Sequence, residues 1–196
     1  MLTNTRRAAF AVCGSFCTLE TALAAAARLQ AEGWELLPVL SNTVAAMDTR
    51  FGRAAEWRAR LAALTGNPVR ATLQAVEPLG PQNLADALVV APCTGTTLAR
   101  LAAGLSDTPV TLAAKSLLRV GRPVLLAVST NDGLGASGEN IARLCQRKHY
   151  YFVPYGQDDP AAKPASLKAD FALLPAALDA AMAGRQLQPM LCPPKT

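Results

Sequence analysis

The run Ala87-Leu88-Val89-Val90-Ala91 constrains this chain more than any other segment. Five apolar residues in succession, introduced by Asp86 and stopped by Pro92, lack the alternation of a strand with one wet face. They read as a central strand buried on both sides of a parallel sheet, and such a sheet needs helices on both of its faces. The rest of the chain supplies them. An apolar run Ala8–Val12 leads through Gly14-Ser15-Phe16-Cys17-Thr18 into an alanine-rich helical segment, Leu19–Glu32, that stops at Gly33. The pattern repeats with a strand over Trp34–Leu40, a polar turn Ser41-Asn42-Thr43 and a helix over Ala54–Leu64 ended by Gly66. A third short strand is expected near Val69–Leu73, and Glu77–Pro81 is too rich in proline to be more than a connection.

Beyond the central run the spacing predicts helices over Thr97–Ala103 and Val110–Val120, and a strand over Pro123–Val128. A glycine-rich loop through Gly138 and a helix over Glu139–Arg147 follow. A last strand over Tyr150–Val153, a loop from Tyr155 to Pro164 and a helix over Asp170–Ala183 ending at Gly184 complete the reading. Strands alternating with helices imply one doubly wound α/β domain over residues 1–196, with a short tail from about residue 188. Its middle strands are expected to be Ala8–Val12 and Ala87–Ala91.

With 51% hydrophobic and 17% charged residues the chain can bury a substantial core, which excludes disorder. Its 19 Lys and Arg exceed its 14 Asp and Glu by five, but they are scattered singly, not gathered in a stripe for nucleic acid. Five cysteines, odd in number and without a Cys-x-x-Cys pair, fit a reduced cytoplasmic compartment. The lone His149 gives no zinc-binding spacing. Arg6-Arg7 before an apolar run imitates a signal peptide, yet Gly14 and Glu20 interrupt the pattern. No run reaches the roughly 18 apolar residues of a membrane span.

In an open parallel sheet ligands bind beyond the carboxyl ends of the strands, where strand order reverses. Three such loops here present small hydroxyl residues: Gly14-Ser15 after the first strand, Ser41-Asn42-Thr43 after the second, and Pro92-Cys93-Thr94-Gly95-Thr96-Thr97 after the central one. Hydroxyls and helix-start amides hold a phosphate without a charged side chain. A lone Ser or Thr there is more often a helix cap, so the convergence of three loops carries the signal. The first loop is not Gly-x-Gly-x-x-Gly, which weakens a dinucleotide reading. Cys17, at a helix start, reads as a small buried residue beside a ligand. Asp158-Asp159 resemble paired carboxylates, but adjacent side chains on an extended segment diverge, and a turn or subunit contact fits them better.

The segment Ala91-Pro92-Cys93-Thr94-Gly95-Thr96-Thr97 with Ala103-Gly104-Leu105-Ser106-Asp107 resembles the Pro-Ala-Ser-Ala-Asn-Thr helix start and downstream Ala-x-Gly-x-x-Asp of the flavin-dependent cysteine-decarboxylase superfamily. Within it, the chain is more similar to the B subunits of dipicolinate synthase. That likeness is carried by Gly14–Thr18, Asp48–Gly52, Glu77–Pro81, Ala91–Gly95, Ser129–Asp132 and Tyr151–Pro160, with Lys163-Pro164 and Ala169-Asp170-Phe171. Three departures from the superfamily stand out. Thr96 replaces the usual asparagine, Val128-Ser129-Thr130-Asn131 keeps only the last residue of a Pro-Ala-Met-Asn loop, and no histidine lies between the second and third strands.

The resemblance implies a Rossmann-like, flavodoxin-like flavoprotein fold that binds FMN through Gly14, Ser15, Ser41, Asn42, Thr43, Pro92, Thr94, Thr97 and Asn131. It implies an oxidoreductase component that takes part in oxidising dihydrodipicolinate to dipicolinate in the mother cell of a sporulating bacterium. The A subunit of dipicolinate synthase is the implied partner and the source of any NADP, and a trimer-based homo-oligomer is expected. Arg50 and Lys163 are the candidates for a small-molecule dicarboxylate, since a guanidinium pairs two-pronged with a carboxylate. No residue is assigned as a catalytic acid or base, and no metal is expected. The alternatives are a decarboxylase or prenyltransferase of the same superfamily, which the missing histidine opposes, and a non-catalytic partner subunit with a vestigial flavin site, which Thr96 favours.

Overall fold

A computed structural model describes residues 6–193. The first strand, β1, spans Arg6–Val12, and is followed by α1 over Leu19–Ala31 and β2 over Trp34–Leu40. Three helices, α2 (Asn42–Ala46), α3 (Ala54–Thr65) and α4 (Leu73–Val76), precede β3 over Ala87–Cys93. Helices α5 (Gly95–Ala102) and α6 (Pro109–Leu118) lead to β4 over Val124–Thr130 and α7 over Ala136–Cys145. The chain then forms β5 (Tyr150–Phe152), β6 (Tyr155–Asp159), β7 (Lys163–Ala169) and α8 (Leu174–Met182).

Strand order is β2-β1-β3-β4-β7-β6, with β5 also pairing β4. The connection from β1 to β2 goes one way and β3 lies on the other side of β1, which sets the reversal of strand order beside β1. All seven residues of β3 are buried, and β1 and β4 flank it, so both expected middle strands are internal. The run does not stop at Pro92. The strand continues through a cis Ala91-Pro92 bond with a register shift between Val90 and Cys93. Helices sheath this layer by aligning small and aliphatic residues on one side, as α1 does with Leu19, Ala22, Ala25, Ala26 and Leu29.

Several expectations need correction. Val69–Leu73 forms no strand: only Arg70 bridges to Val39 on the free side of β2, because Thr72 caps α4 directly afterwards. Glu77–Leu79 closes into a 3-10 turn, and α7 begins at Ala136, three residues early. The supposed loop from Tyr155 to Pro164 is the largest difference, because β6 and β7 form an antiparallel hairpin there. The outer edge of β4 is thereby divided. Its first half, Val124–Leu126, pairs β5 in parallel, and its end, Ser129–Thr130, pairs β7 antiparallel. Residues 190–192 pair with Tyr155 on the far side of β6, through Met190 O, Leu191 and Cys192 N. On the free side of β5, the Gln186 side-chain amide donates to Phe152 O at 2.7 Å and accepts from Phe152 N at 2.8 Å.

Candidate functional site

The carboxyl ends of β1, β2, β3 and β4 open into a cleft of about 750 Å³, within the range of about 300–1,000 Å³ usual for small-molecule sites. Gly14, Ser15, Ser41, Asn42, Thr43, Thr94, Thr97, Asn131, Arg50 and Lys163 all line it. Pro92 does not; it is buried within β3, where its carbonyl accepts from the Cys13 amide at 3.3 Å and ties the first loop to the third. Residues distant in sequence therefore meet because strand ends in a parallel sheet share one edge.

Each loop is shaped by its own hydroxyls. Ser41 caps α2 by accepting from Val44 N at 3.3 Å, and Thr94 caps α5 by accepting from Thr97 N at 3.4 Å. The Thr97 hydroxyl donates to Cys13 Sγ at 3.3 Å and lies 3.0 Å from Thr94 Oγ1. Both threonine protons therefore run inward, and the first-turn amides of α5 left without an intrahelical or capping acceptor are those of Gly95 and Thr96, two residues on the cleft lining. Burial pushes the Cys13 thiol up to about 11, and Cys93 is raised by the same cause, so both remain neutral packing groups. Ser15 Oγ sits 2.9 Å from Ser129 Oγ, bridging the ends of β1 and β4.

On the far wall, beside the expected Asn131, stands a cluster whose contacts the sequence does not single out. There Asp132 accepts hydrogen bonds from the Thr130 and Ser137 hydroxyls, which hold its carboxyl below the usual range. This cluster packs against Gly95 so closely that a Cβ there would lie 2.5 Å from Ser137 Oγ and 2.9 Å from Asp132 Oδ1. Spacing along the chain carries no sign of it, since Gly95 and Ser137 are brought together only by the adjacency of β3 and β4. The β6–β7 hairpin adds Asp158, Ser166, Leu167 and Lys168 to the lining. Cys17 is exposed, contrary to its expected burial, because the 3-10 turn Phe16–Thr18 buries Thr18 in its place. Asp158 and Asp159 do diverge: Asp158 faces Lys163, while Asp159 accepts from Ala162 N and closes the hairpin turn.

Arg50 projects from the tight turn Thr49–Gly52, with its guanidinium 4.8 Å from the Phe51 ring. Arg100 faces Asp107 at 3.4 Å. His149, the chain's one histidine, lies before β5 with φ +69°, away from the cleft. Among the described residues no group of His, Cys, Asp and Glu could hold a metal, and no helix is long and apolar enough to cross a membrane.

The family model described as Flavoprotein matches residues 3–134. The chain belongs to the Flavoprotein family. The B subunit of dipicolinate synthase from Bacillus subtilis is 42% identical over 186 residues, which are 95% of this chain and 93% of that protein. The crystal structure of the dipicolinate synthase B subunit from Bacillus halodurans superposes with a TM-score of 0.88, at 39% identity over 97% of each chain. The chain is thus a homologue of the dipicolinate synthase B subunit, and the doubly wound expectation holds. The crystal structure of the FMN-dependent cysteine decarboxylase SpaF has the same fold, with a TM-score of 0.66 at 23% identity, over 90% of this chain and 97% of that one.

Proposed function

We propose that this chain is the B subunit of a dipicolinate synthase, binding FMN and taking part with a dehydrogenase-like A subunit in oxidising dihydrodipicolinate to dipicolinate. The observation that carries the reading is the convergence of three hydroxyl-bearing strand-end loops on one cleft, in a chain homologous to those B subunits along nearly its whole length. The donor set suits a phosphate monoester: the Gly95 and Thr96 amides at the start of α5 and the Ser15–Ser129 hydroxyl pair offer hydrogen bonds, and the three loops carry no lysine or arginine. In this proposal the phosphate lies among Ser15, Ser41, Thr94 and Thr97, with Gly14, Asn42, Thr43 and Pro92 shaping the loops and Asn131 beside the ring. When bound, FMN supplies a two-electron acceptor to a ring that gains aromaticity.

The chain's own residues bind and orient. Arg50 at the mouth takes one substrate carboxylate in a bidentate pair, and Lys163 takes its place on the hairpin wall. Any NADP comes through the A subunit. The protein works as a trimer-based homo-oligomer, with Phe51 on the cleft lining and Met47 after α2, 42% and 51% exposed, supplying apolar contact area. The cytoplasm of the mother cell is the expected place of action.

FMN titration followed by visible absorption, with and without the partner protein, tests the proposal. Ser15→Glu places a negative charge where the phosphate belongs and is expected to weaken binding by about 2–4 kcal/mol. Equal affinities for wild type and Ser15→Glu, or no binding by wild type even with the partner, would overturn it.

A further inference from the structure

Four cations line the strand-end cleft, and they are not equally engaged. Arg100 faces Asp107, and Arg50 stacks on Phe51 across the mouth. The other two, Lys163 and Lys168, share a single acid. Asp158 Oδ2 lies 3.2 Å from Lys163 Nζ, and Asp158 Oδ1 lies 3.7 Å from Lys168 Nζ. At ion-pair distance one carboxylate thus serves two ammonium groups. Asp159 acts on Lys163 only from farther off, while its Oδ1 accepts the Ala162 amide at 2.9 Å to close the turn.

The scaffold under this trio is firm. Lys168 pairs through its backbone with Ser129 of β4 on one side and Gly156 of β6 on the other, so it occupies a central ladder position. Gly133 leaves no space for a Cβ, which would lie 2.6 Å from Leu167 and push the hairpin away. Gln157 Nε2 donates to Pro164 O at 2.9 Å and braces the strand that carries Asp158.

We propose that the hairpin carries a carboxylate subsite, in which Lys163 and Lys168 receive one carboxylate of a small dicarboxylic acid and Asp158 holds the two ammonium groups together against their mutual repulsion. An incoming carboxylate gives the two ammonium groups a second close acceptor, and Arg50, on the lining of the same cleft, is left for the other end of a diacid. A monoacid engages only one wall. Asp158 is a positioning residue, acting through the lysines. The inference deepens the oxidation of a pyridine dicarboxylate proposed above and rests on that reading for the identity of the acid.

Calorimetric titration of the full chain at low ionic strength, with FMN present, compares pyridine-2,6-dicarboxylate with pyridine-2-carboxylate. The wild type is expected to prefer the diacid by about tenfold, the usual worth of one charge-assisted contact. Lys168→Gln loses that preference while keeping its monoacid affinity, and Lys168→Arg restores it. Asp158→Asn lets the ammonium groups repel and part, and reduces the preference as well. Circular dichroism confirms that each variant is folded. If Lys168→Gln, Lys163→Gln and the double variant all keep the wild-type preference, the subsite is overturned. Glutarate against butyrate separates this failure from that of the parent reading. A lysine-dependent preference for glutarate, without one for the pyridine diacid, upholds the subsite and overturns the pyridine reading.

Discussion

The two walls of the cleft handle negative charge by different physics. On the side built by β1, β2 and β3, hydroxyls and helix-start amides do the work, with the Ser41 and Thr94 oxygens accepting capping amides and the Thr97 hydroxyl donating to the buried Cys13. On the side built by the β6–β7 hairpin, full charges face one another across 3.2 and 3.7 Å. The first wall is sheltered and pre-shaped, so it is specific for geometry. The second is half-open and adjustable, so it selects by charge. Fixed dipoles near a low-dielectric interior keep their strength, whereas exposed ion pairs are worth little and are screened by salt.

Crowding the contact between the first wall and the end of β4 should have the largest effect. Gly95→Ala pushes a methyl group into Ser137, Thr130 and Asp132, and overpacking of this kind costs about 1–3 kcal/mol. A drop in urea midpoint of that size, with loss of FMN binding, is expected. Unchanged stability would show that the wall yields, and would break the contrast between a rigid side and an adjustable one.

Salt sharpens the contrast further. Raising ionic strength from about 50 mM to about 500 mM shortens the screening length severalfold. Diacid affinity at the hairpin is expected to fall by about fivefold, while FMN affinity moves by less than about twofold. Equal salt slopes for the two ligands, measured by titration, would erase the distinction.

The smallest effect concerns acid. Hydrogen bonds from Thr130 and Ser137 depress the folded Asp132 carboxyl, so its contribution to stability is present above the unfolded value of about 4 and is lost as pH falls through the lower folded value. Asp132→Asn is therefore expected to flatten the decline in Tm below about pH 4. Superimposable curves for the two proteins in acid would remove Asp132 from the wall's stabilising contacts.

The hydroxyl wall was legible in the sequence, whereas of the charged wall only Lys163 was, and not the hairpin that carries it. Strands β1, β2, β3 and β4 are buried on both faces, and burial forces an apolar run that stands out along the chain. Their loops follow directly, which located Ser15, Ser41 and Thr94. The hairpin's two strands, Tyr-Gly-Gln-Asp-Asp and Lys-Pro-Ala-Ser-Leu-Lys-Ala, carry few large apolar residues, and Pro160 and Pro164 imitate a loop. What holds them is pairing to β4 and the fit of Leu167 over Gly133, which are tertiary facts with no local signature. Val69–Leu73 fails in the opposite sense, since its apolar residues suggest a strand while Thr72 begins a helix.

The segments laid along the outer strands have a consequence for how this protein meets other chains. Arg70 exchanges backbone hydrogen bonds with Pro38 and Leu40 on β2, Gln186 occupies both polar groups of Phe152 on β5, and residues 190–192 cover Tyr155 on β6. Unpaired strand edges invite foreign strands and open-ended aggregation. Here each margin ends in a short, irregular plug that cannot pass the ladder on to a newcomer. A newcomer strand therefore finds the ladder interrupted on every margin, which leaves side-chain surfaces as the more favourable ground for association.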